Sequence, residues 1–278
     1  MIMHMNSSLE RVSSTNMSQA LYELIGQGYD QTRKADTHVT ERLLHHLQLQ
    51  PGERYLDVGC GTGNYTATLA GEKRLITGVD PSESMIKQAE EKYPNLPWVL
   101  GRAESLPFED GAFQGAFTTL TIHLWENLIQ GFKEIHRVVS EGRLVIFTSM
   151  PHQMKRYWLN AYFPSVIAQS MRMMPGFDSL QATLDRAGWR LCASEKFFVN
   201  KDIQDMIFFS GKHNPEIYFE STVRSSISYF AAADNQAEVE QGLERLREDL
   251  DSGHFETVRQ QYANDFGDYM FIVAEKKA

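Results

Sequence analysis

Three glycines alternate with other residues in Gly59-Cys60-Gly61-Thr62-Gly63, directly after the run Tyr55-Leu56-Asp57-Val58. Lacking Cβ atoms, they allow φ values that other residues avoid and let a ligand approach the backbone. A helix is expected to start near Asn64, turning its unpaired N–H groups and positive dipole end toward the same space. Such a site suits a nucleotide-like or carboxylate-bearing ligand. Asp80 closes the next apolar run. There a carboxylate can accept hydrogen bonds from both hydroxyls of a ribose, and it can also serve the start of the helix after Pro81; the two uses are compatible.

The elements that must position these residues alternate. Residues 36–49 carry Val39, Leu43, Leu44 and Leu47 on one helical face, and Pro51-Gly52 ends that helix. Strands are expected over 55–58, 74–79, 98–100, 113–121 and 142–149. Helices are expected from Asn64 to about Ala70, after a Ser82 or Ser84 cap with Met85, Ile86 and Ala89 inward, and over 126–139. This order implies a parallel sheet with right-handed crossovers, and the near-continuous apolar strands imply helices on both faces. After Met150 the texture changes. Residues 151–175 are rich in methionine and aromatic side chains in mixed spacing, and read as helical material outside the sheet. A helix over 179–187, a strand over 189–199, helices over 202–209, 216–230 and 236–251, and a strand over 269–274 complete the expectation.

The 278 residues suffice for one α/β domain with a cap. A net charge of -9, from 36 acidic and 27 basic residues, is a poor electrostatic match for nucleic acid, and no partner of that kind is expected. Cys60 and Cys192 alone make neither a disulfide framework nor a metal site, and their scarcity fits a reducing, cytoplasmic setting. No apolar run is long enough to span a bilayer. Residues 1–18 do not read as a signal peptide and are expected to be loosely attached. The oligomeric state is not legible.

The glycine spacing separates ligand classes. Gly59-x-Gly61-x-Gly63 is not the G-x-G-x-x-G of dinucleotide enzymes, which disfavours a nicotinamide-dependent oxidoreductase. Leu56-Asp57-Val58-Gly59-Cys60-Gly61-Thr62-Gly63 instead resembles the first motif of the class I S-adenosylmethionine-dependent methyltransferases. Val79-Asp80-Pro81-Ser82 with Met85 resembles the second motif, and Arg102-Ala103-Glu104 with Leu106-Pro107-Phe108 the third. Ile135-His136-Arg137-Val138 also resembles the family, and the likeness is nearest the small-molecule branch that includes the ubiquinone/menaquinone methyltransferases. It covers about Tyr29 to Ser149 and is topological only beyond that. Two positions depart from the pattern. Gln114 stands where an acidic residue is usual, and Ser140-Glu141-Gly142-Arg143 replaces a Pro-Gly-Gly turn.

The resemblance implies a Rossmann-like seven-stranded mixed sheet with helices on both faces and helical lid insertions. It would form a single domain: an N-terminal helical segment (1–50), a cofactor-binding core (51–150), a lid insertion (151–188), last strands (189–199 and 266–278) and a second insertion (200–265). It implies S-adenosyl-L-methionine as cofactor. Gly59, Cys60, Gly61 and Gly63 would form the turn along its methionine half. Asp57 would anchor that turn near the amino group, and Asp80 would hold the ribose. Pro81 and Met85 would pack around the nucleoside, while Ala103 and Glu104 would flank the adenine. Thr119 and Leu120 would lie under the amino group. Arg33 and Tyr29 could reach the carboxylate, although Arg33 could equally be a solvated charge at a helix start.

Methyl transfer is an in-line displacement, so the protein mainly aligns an acceptor opposite the leaving sulfur. His123, after the fourth strand, is the first candidate for a base, and its competing use is a structural histidine bonded to a carbonyl. His38, His152 and Tyr162 are lesser candidates. Residues 151–175 are either a lid over a partly apolar small-molecule acceptor or a helix pair burying its own stripe. A nucleic-acid or protein methyltransferase is disfavoured by the charge and by the lack of an Asn-Pro-Pro-Tyr-type motif. A non-catalytic cofactor-binding regulator stays open.

Overall fold

A computed structural model of the chain describes residues 29–71, 74–227, 230 and 236–277. The expectation for residues 1–18 lies outside the described residues, as does the side chain of Tyr29. In chain order the elements are α1 (Tyr29–Thr32), α2 (Thr37–Leu47), β1 (Arg54–Val58), α3 (Asn64–Ala70), β2 (Leu75–Asp80), α4 (Glu83–Lys92), β3 (Trp98–Leu100), β4 (Gly115–Thr119), α5 (Leu128–Val138) and β5 (Arg143–Thr148). Then come α6 (Pro151–Lys155), α7 (Pro164–Met173), α8 (Phe177–Arg186), β6 (Trp189–Phe197), α9 (Ser221–Ser226), α10 (Gln236–Ser252), α11 (Phe255–Gln261) and β7 (Tyr269–Lys276). The seven strands form one sheet in the order β3-β2-β1-β4-β5-β7-β6, with β1 to β5 parallel and β7 antiparallel to both neighbours. The order reverses between β1 and β4, which opens a crevice at their carboxyl ends.

Both faces of the sheet are covered, and strand periodicity divides the core. On β5, Val145 and Phe147 join a cluster with Val39, Leu43 and Leu47 of α2, whereas Leu144 and Ile146 join Phe132 and Ile135 of α5 and Leu180 and Leu184 of α8. Fully burying a side chain such as Leu43 contributes about 1.5–3 kcal/mol. Ser82 caps α4 by accepting from the Met85 N–H, and Asp36 caps α2 by accepting from the Val39 N–H at 3.0 Å. Arg137 of α5 donates to the carbonyls of Leu106 and Phe108, so this part of the sequence likeness fastens the turn after β3.

The second half departs from expectation in two ways, at residues 202–209 and 216–230, while its aromatic stretch is packed as in the second of its two readings. The aromatic side chains of residues 151–175 do not line the two cavities described below. Tyr157, Trp158 and Tyr162 are buried against Tyr218 and Phe255, and Phe163 against Phe230, extending the α2-side core. Residues 202–209 are not a helix, because their N–H groups have tertiary partners: Gln204 donates to Asp36 Oδ2 at 3.0 Å and Met206 to the Thr32 carbonyl at 2.9 Å. Residues 216–230 do not form one helix either, starting as the 3₁₀ turn Pro215–Phe219 and continuing as the short α9.

The two departures from the family pattern touch each other. Ser140 Oγ donates to Gln114 Oε1 at 2.9 Å. Gly142 passes so close beneath Gln114 that an added Cβ would lie 1.8 Å from the Gln114 carbonyl oxygen. Gly142→Ala is therefore expected to destabilise the fold by about 1–3 kcal/mol through backbone overpacking. Gly176→Ala, where a Cβ meets nothing within 4 Å, should be near neutral. Urea unfolding of both variants checks this, and equal midpoints would contradict it.

Candidate active site

The glycine turn hangs from β2. The N–H groups of Gly59 and Cys60 both donate to the Val79 carbonyl, at 2.8 and 3.1 Å, and the Gly61 N–H donates to Asp80 Oδ2 at 2.9 Å. Asp80 Oδ1 accepts from the Ser82 N–H at 2.9 Å. Gly59, Gly61 and Gly63 all have positive φ, at 80°, 54° and 80°. Their surroundings differ. A Cβ on Gly59 would meet the Thr121 side chain at 2.5 Å, and one on Gly63 would meet the Trp98 ring at 2.3 Å. One on Gly61 would meet no atom within 4 Å. Gly59 and Gly63 are thus demanded by packing, and Gly61 leaves the backbone open to a ligand.

Two cavities flank the turn and share Gly59. The first, about 640 Å³ including its open mouth, is lined by Val58, Asp80, Pro81, Ser82, Ala103, Glu104 and Trp125 among others. The second, about 350 Å³ on the same measure, is lined by Gly59, Cys60, Gly61, Thr62, Asn64, Tyr65 and Thr119, with Arg33, Lys34 and Asp205 from distant segments. A nucleoside with an appended polar arm matches this pair in arrangement and in the character of its lining. Asp57 stands behind the turn, 1% exposed. Its Oδ2 accepts from Thr66 Oγ1 at 2.6 Å, which ties β1 to α3, while its buried Oδ1 has no partner among the described residues. Buried acceptors are normally satisfied, so this oxygen fits a cationic donor such as the cofactor's amino group. Burial pushes Asp57 up to about 7, with the neighbouring Asp80 adding to the rise, and burial pushes Asp80 up to about 6 against its two N–H donors.

The segment before α2 is fastened over the second cavity. Asp30 accepts from Thr62 Oγ1 and from Lys92 Nζ, both at 2.7 Å. Arg33 grips Asp205 with Nε to Oδ1 at 2.5 Å and Nη2 to Oδ2 at 3.2 Å. His123 sits in the 3₁₀ turn Ile122–Leu124 and is half-buried. Burial and the nearby Arg33 charge push its imidazole down to about 4, so it is neutral at pH 7. Leu120, just past β4, holds φ at 54° while its N–H donates to the Phe147 carbonyl at 2.8 Å. A strained non-glycine residue of this kind typically costs about 1–3 kcal/mol and persists where the surroundings enforce it.

Most residues named from the sequence fall around these cavities. Met85 does not: it is 1% exposed inside α4 and packs into the core, because the Ser82 cap turns that helix face inward. Leu120, Asp57, Gly63 and His123 line neither cavity: the Leu120 backbone turns away to β5, Asp57 is enclosed behind the turn, Gly63 is covered by the Trp98 ring, and His123 sits in the turn after β4. Cys60 lines the second cavity, and burial pushes its thiol up, consistent with a packing role. Sequence reasoning passed over Thr121, Trp125, Asp30 and Asp205. Trp125 had a readable signal, two residues after His123. Asp205 had none, being 144 positions beyond Gly61 in sequence (205 less 61).

The comparisons with known proteins agree with this geometry. A family model described as a methyltransferase domain matches residues 56–147, and that of the protein-L-isoaspartate(D-aspartate) O-methyltransferases matches residues 5–98. A solved methyltransferase candidate from an antibiotic biosynthesis pathway of Anabaena variabilis is 31% identical, with a TM-score of 0.79. The match covers 89% of this chain and 100% of that one. A demethylmenaquinone methyltransferase of Lysinibacillus sphaericus is 29% identical over 199 residues, covering 60% of this chain and 85% of the relative. A malonyl-[acyl-carrier protein] O-methyltransferase of Serratia marcescens is 27% identical over 146 residues, covering 52% of this chain and 57% of the relative. The 31% identical match over 89% of this chain, the strand order and the paired cavities lead to one conclusion: this chain belongs to the class I S-adenosylmethionine-dependent methyltransferases.

Proposed function

We propose that the chain transfers a methyl group from S-adenosylmethionine to a small, partly apolar molecule, with the two cavities that meet at Gly59 as the two halves of its cofactor site. That junction carries the reading. In the first cavity Asp80 would hold the ribose, with Pro81, Ala103, Glu104 and Trp125 around the nucleoside. In the second the backbone of Gly59, Cys60 and Gly61, together with Thr119, would line the methionine arm. Arg33 would meet its carboxylate and Asp57 its amino group. Bound S-adenosylmethionine supplies an electrophilic methyl on a positively charged sulfur. The chain's own residues then fix orientation and exclude water, which suffices for an in-line displacement once the acceptor is aligned.

His123 would face the acceptor. A neutral imidazole can take a proton, but one pushed down to about 4 is a weak base, so its use is to orient an acceptor hydroxyl or to take a proton from an acidic one. The relatives differ in acceptor: one is named for demethylmenaquinone and the other for malonyl-[acyl-carrier protein]. Their difference is consistent with acceptor choice residing outside the shared core. A cytoplasmic location without nucleic-acid partners is supported by the acidic balance and by the scarcity of cysteine. Among the described residues no helix is long and apolar enough to cross a membrane.

Cofactor binding is expected to depend on pH with a definite sign. Ionised Asp57 and Asp80 would accept from an ammonium and from ribose hydroxyls more strongly than the protonated acids, and burial has raised both, to about 7 and about 6. Their contribution to the ligand-free fold is therefore greatest below about pH 4 and is lost as pH rises through 6 to 7. Binding favours the carboxylates, so affinity for S-adenosylhomocysteine should fall from pH 8 to pH 5, by about tenfold per unit below pH 6 for each carboxylate required. Calorimetry in buffers of different ionisation enthalpy should register proton release near pH 6.5, and a flat profile would contradict the assignment.

Asp80→Ala should weaken S-adenosylhomocysteine binding by about 1–3 kcal/mol, the range for losing hydrogen bonds to a charged group. Wild-type affinity in that variant would remove Asp80 from the site. His123→Ala should lower turnover on an identified acceptor while leaving S-adenosylhomocysteine affinity unchanged. An unaltered rate would assign His123 to structure.

A further inference from the structure

Asp205 is a buried carboxylate that no sequence motif accounts for. It comes from the stretch after β6, yet it lines the same cavity as Gly59, Cys60, Gly61 and Thr119 and is 1% exposed. Three donors converge on it: Arg33 Nε at 2.5 Å, Arg33 Nη2 at 3.2 Å and Tyr65 Oη at 3.1 Å. Tyr65 is the second residue of α3, the helix that starts from the glycine turn, and its hydroxyl also accepts from the Asp36 N–H at 3.4 Å. Two backbone bonds secure the same junction, Met206 N–H to the Thr32 carbonyl and Gln204 N–H to Asp36 Oδ2. One carboxylate thus joins three parts of the chain at the wall of one cavity.

The electrostatics decide what this arrangement can serve. A buried carboxylate in a cavity wall repels a carboxylate-bearing ligand unless a cation stands between them. Arg33 lines the cavity beside Asp205. A bidentate grip on Nε and Nη2 fixes the plane of the guanidinium and reduces the side-chain entropy lost when it meets a second anion. We infer that Asp205 is a positioning residue for the amino-acid end of the cofactor. It orients Arg33 toward the methionine carboxylate, and so makes Asp205 part of the cofactor site. This rests on the reading of the second cavity as the methionine half. A purely structural ion pair would affect all ligands of the site alike.

The test compares two ligands by calorimetry on the full chain. S-adenosylhomocysteine carries the amino-acid arm, and 5′-methylthioadenosine lacks it. Asp205→Asn should weaken S-adenosylhomocysteine binding about tenfold, as expected when a charge-assisted contact is misaligned. It should change methylthioadenosine binding by less than about twofold, within the scatter of a substitution remote from the contact. Arg33→Gln, at a partly exposed position, should show the same split. The double variant should lose little beyond Arg33→Gln alone, because the two residues act as one unit. Equal losses for the two ligands, no loss, or additive losses would overturn the inference. Should Asp205→Asn fail to fold, an equal loss of both ligands in Arg33→Gln overturns it. A wild-type chain that binds neither ligand would sink the cofactor reading, and this inference with it; a wild-type chain that binds both, with Asp205→Asn unchanged, sinks this inference alone.

Discussion

The bond between the Gly61 N–H and the Asp80 carboxylate is the constraint on which the site depends. It joins the end of β2 to the turn after β1, and it acts together with the Val79 carbonyl, which accepts from both Gly59 and Cys60. The turn is therefore a part of the sheet's carboxyl edge, held at a fixed distance from the acid that would receive the ribose. Trp98 supports the same turn from β3, since its ring occupies the space that Cβ atoms on Gly63 and Gly78 would fill. The two cavities exist because this edge is rigid and because the strand order reverses beside it.

That rigidity has an energetic counterpart in the buried acids. Asp57 and Asp80 are both almost fully enclosed and lie near enough for the charge of Asp80 to raise Asp57. Two carboxylates in one enclosed region are an unfavourable arrangement for the ligand-free chain. A ligand bringing an ammonium and hydroxyl donors would relieve it, and the strain in the ligand-free chain would then favour such a ligand. In the second cavity the buried acid is instead neutralised, since Asp205 is paired with Arg33.

Local chemistry made the first half of the chain legible. The glycine turn, Asp80, the Ser82 cap and the strands to β5 are each encoded within a few residues, and the structure places them within a residue or two of expectation. Strands β6 and β7 were readable for the same reason, from Gly188 before Trp189 and Gly267 before Tyr269. Residues 202–209 were read as helix because their propensity allows it, but Asp36 and the Thr32 carbonyl take their N–H groups. The aromatic residues of 151–175 offered two uses, and their burial against Tyr218 and Phe255 depends on partners some 60 to 100 residues away. Asp205 escaped notice because a lone acid in a polar stretch carries no local signature. Only the folded chain brings it to Arg33 and Tyr65.

The central claim is that the two cavities meeting at Gly59 are halves of one cofactor site. A crystal structure of the full chain with S-adenosylhomocysteine tests it most directly. The account predicts one ligand molecule spanning both, its ribose on Asp80, its base beside Ala103 and Trp125, and its amino-acid arm along Gly59 to Gly61 toward Arg33. A ligand confined to one cavity, or seated elsewhere on the chain, would contradict it.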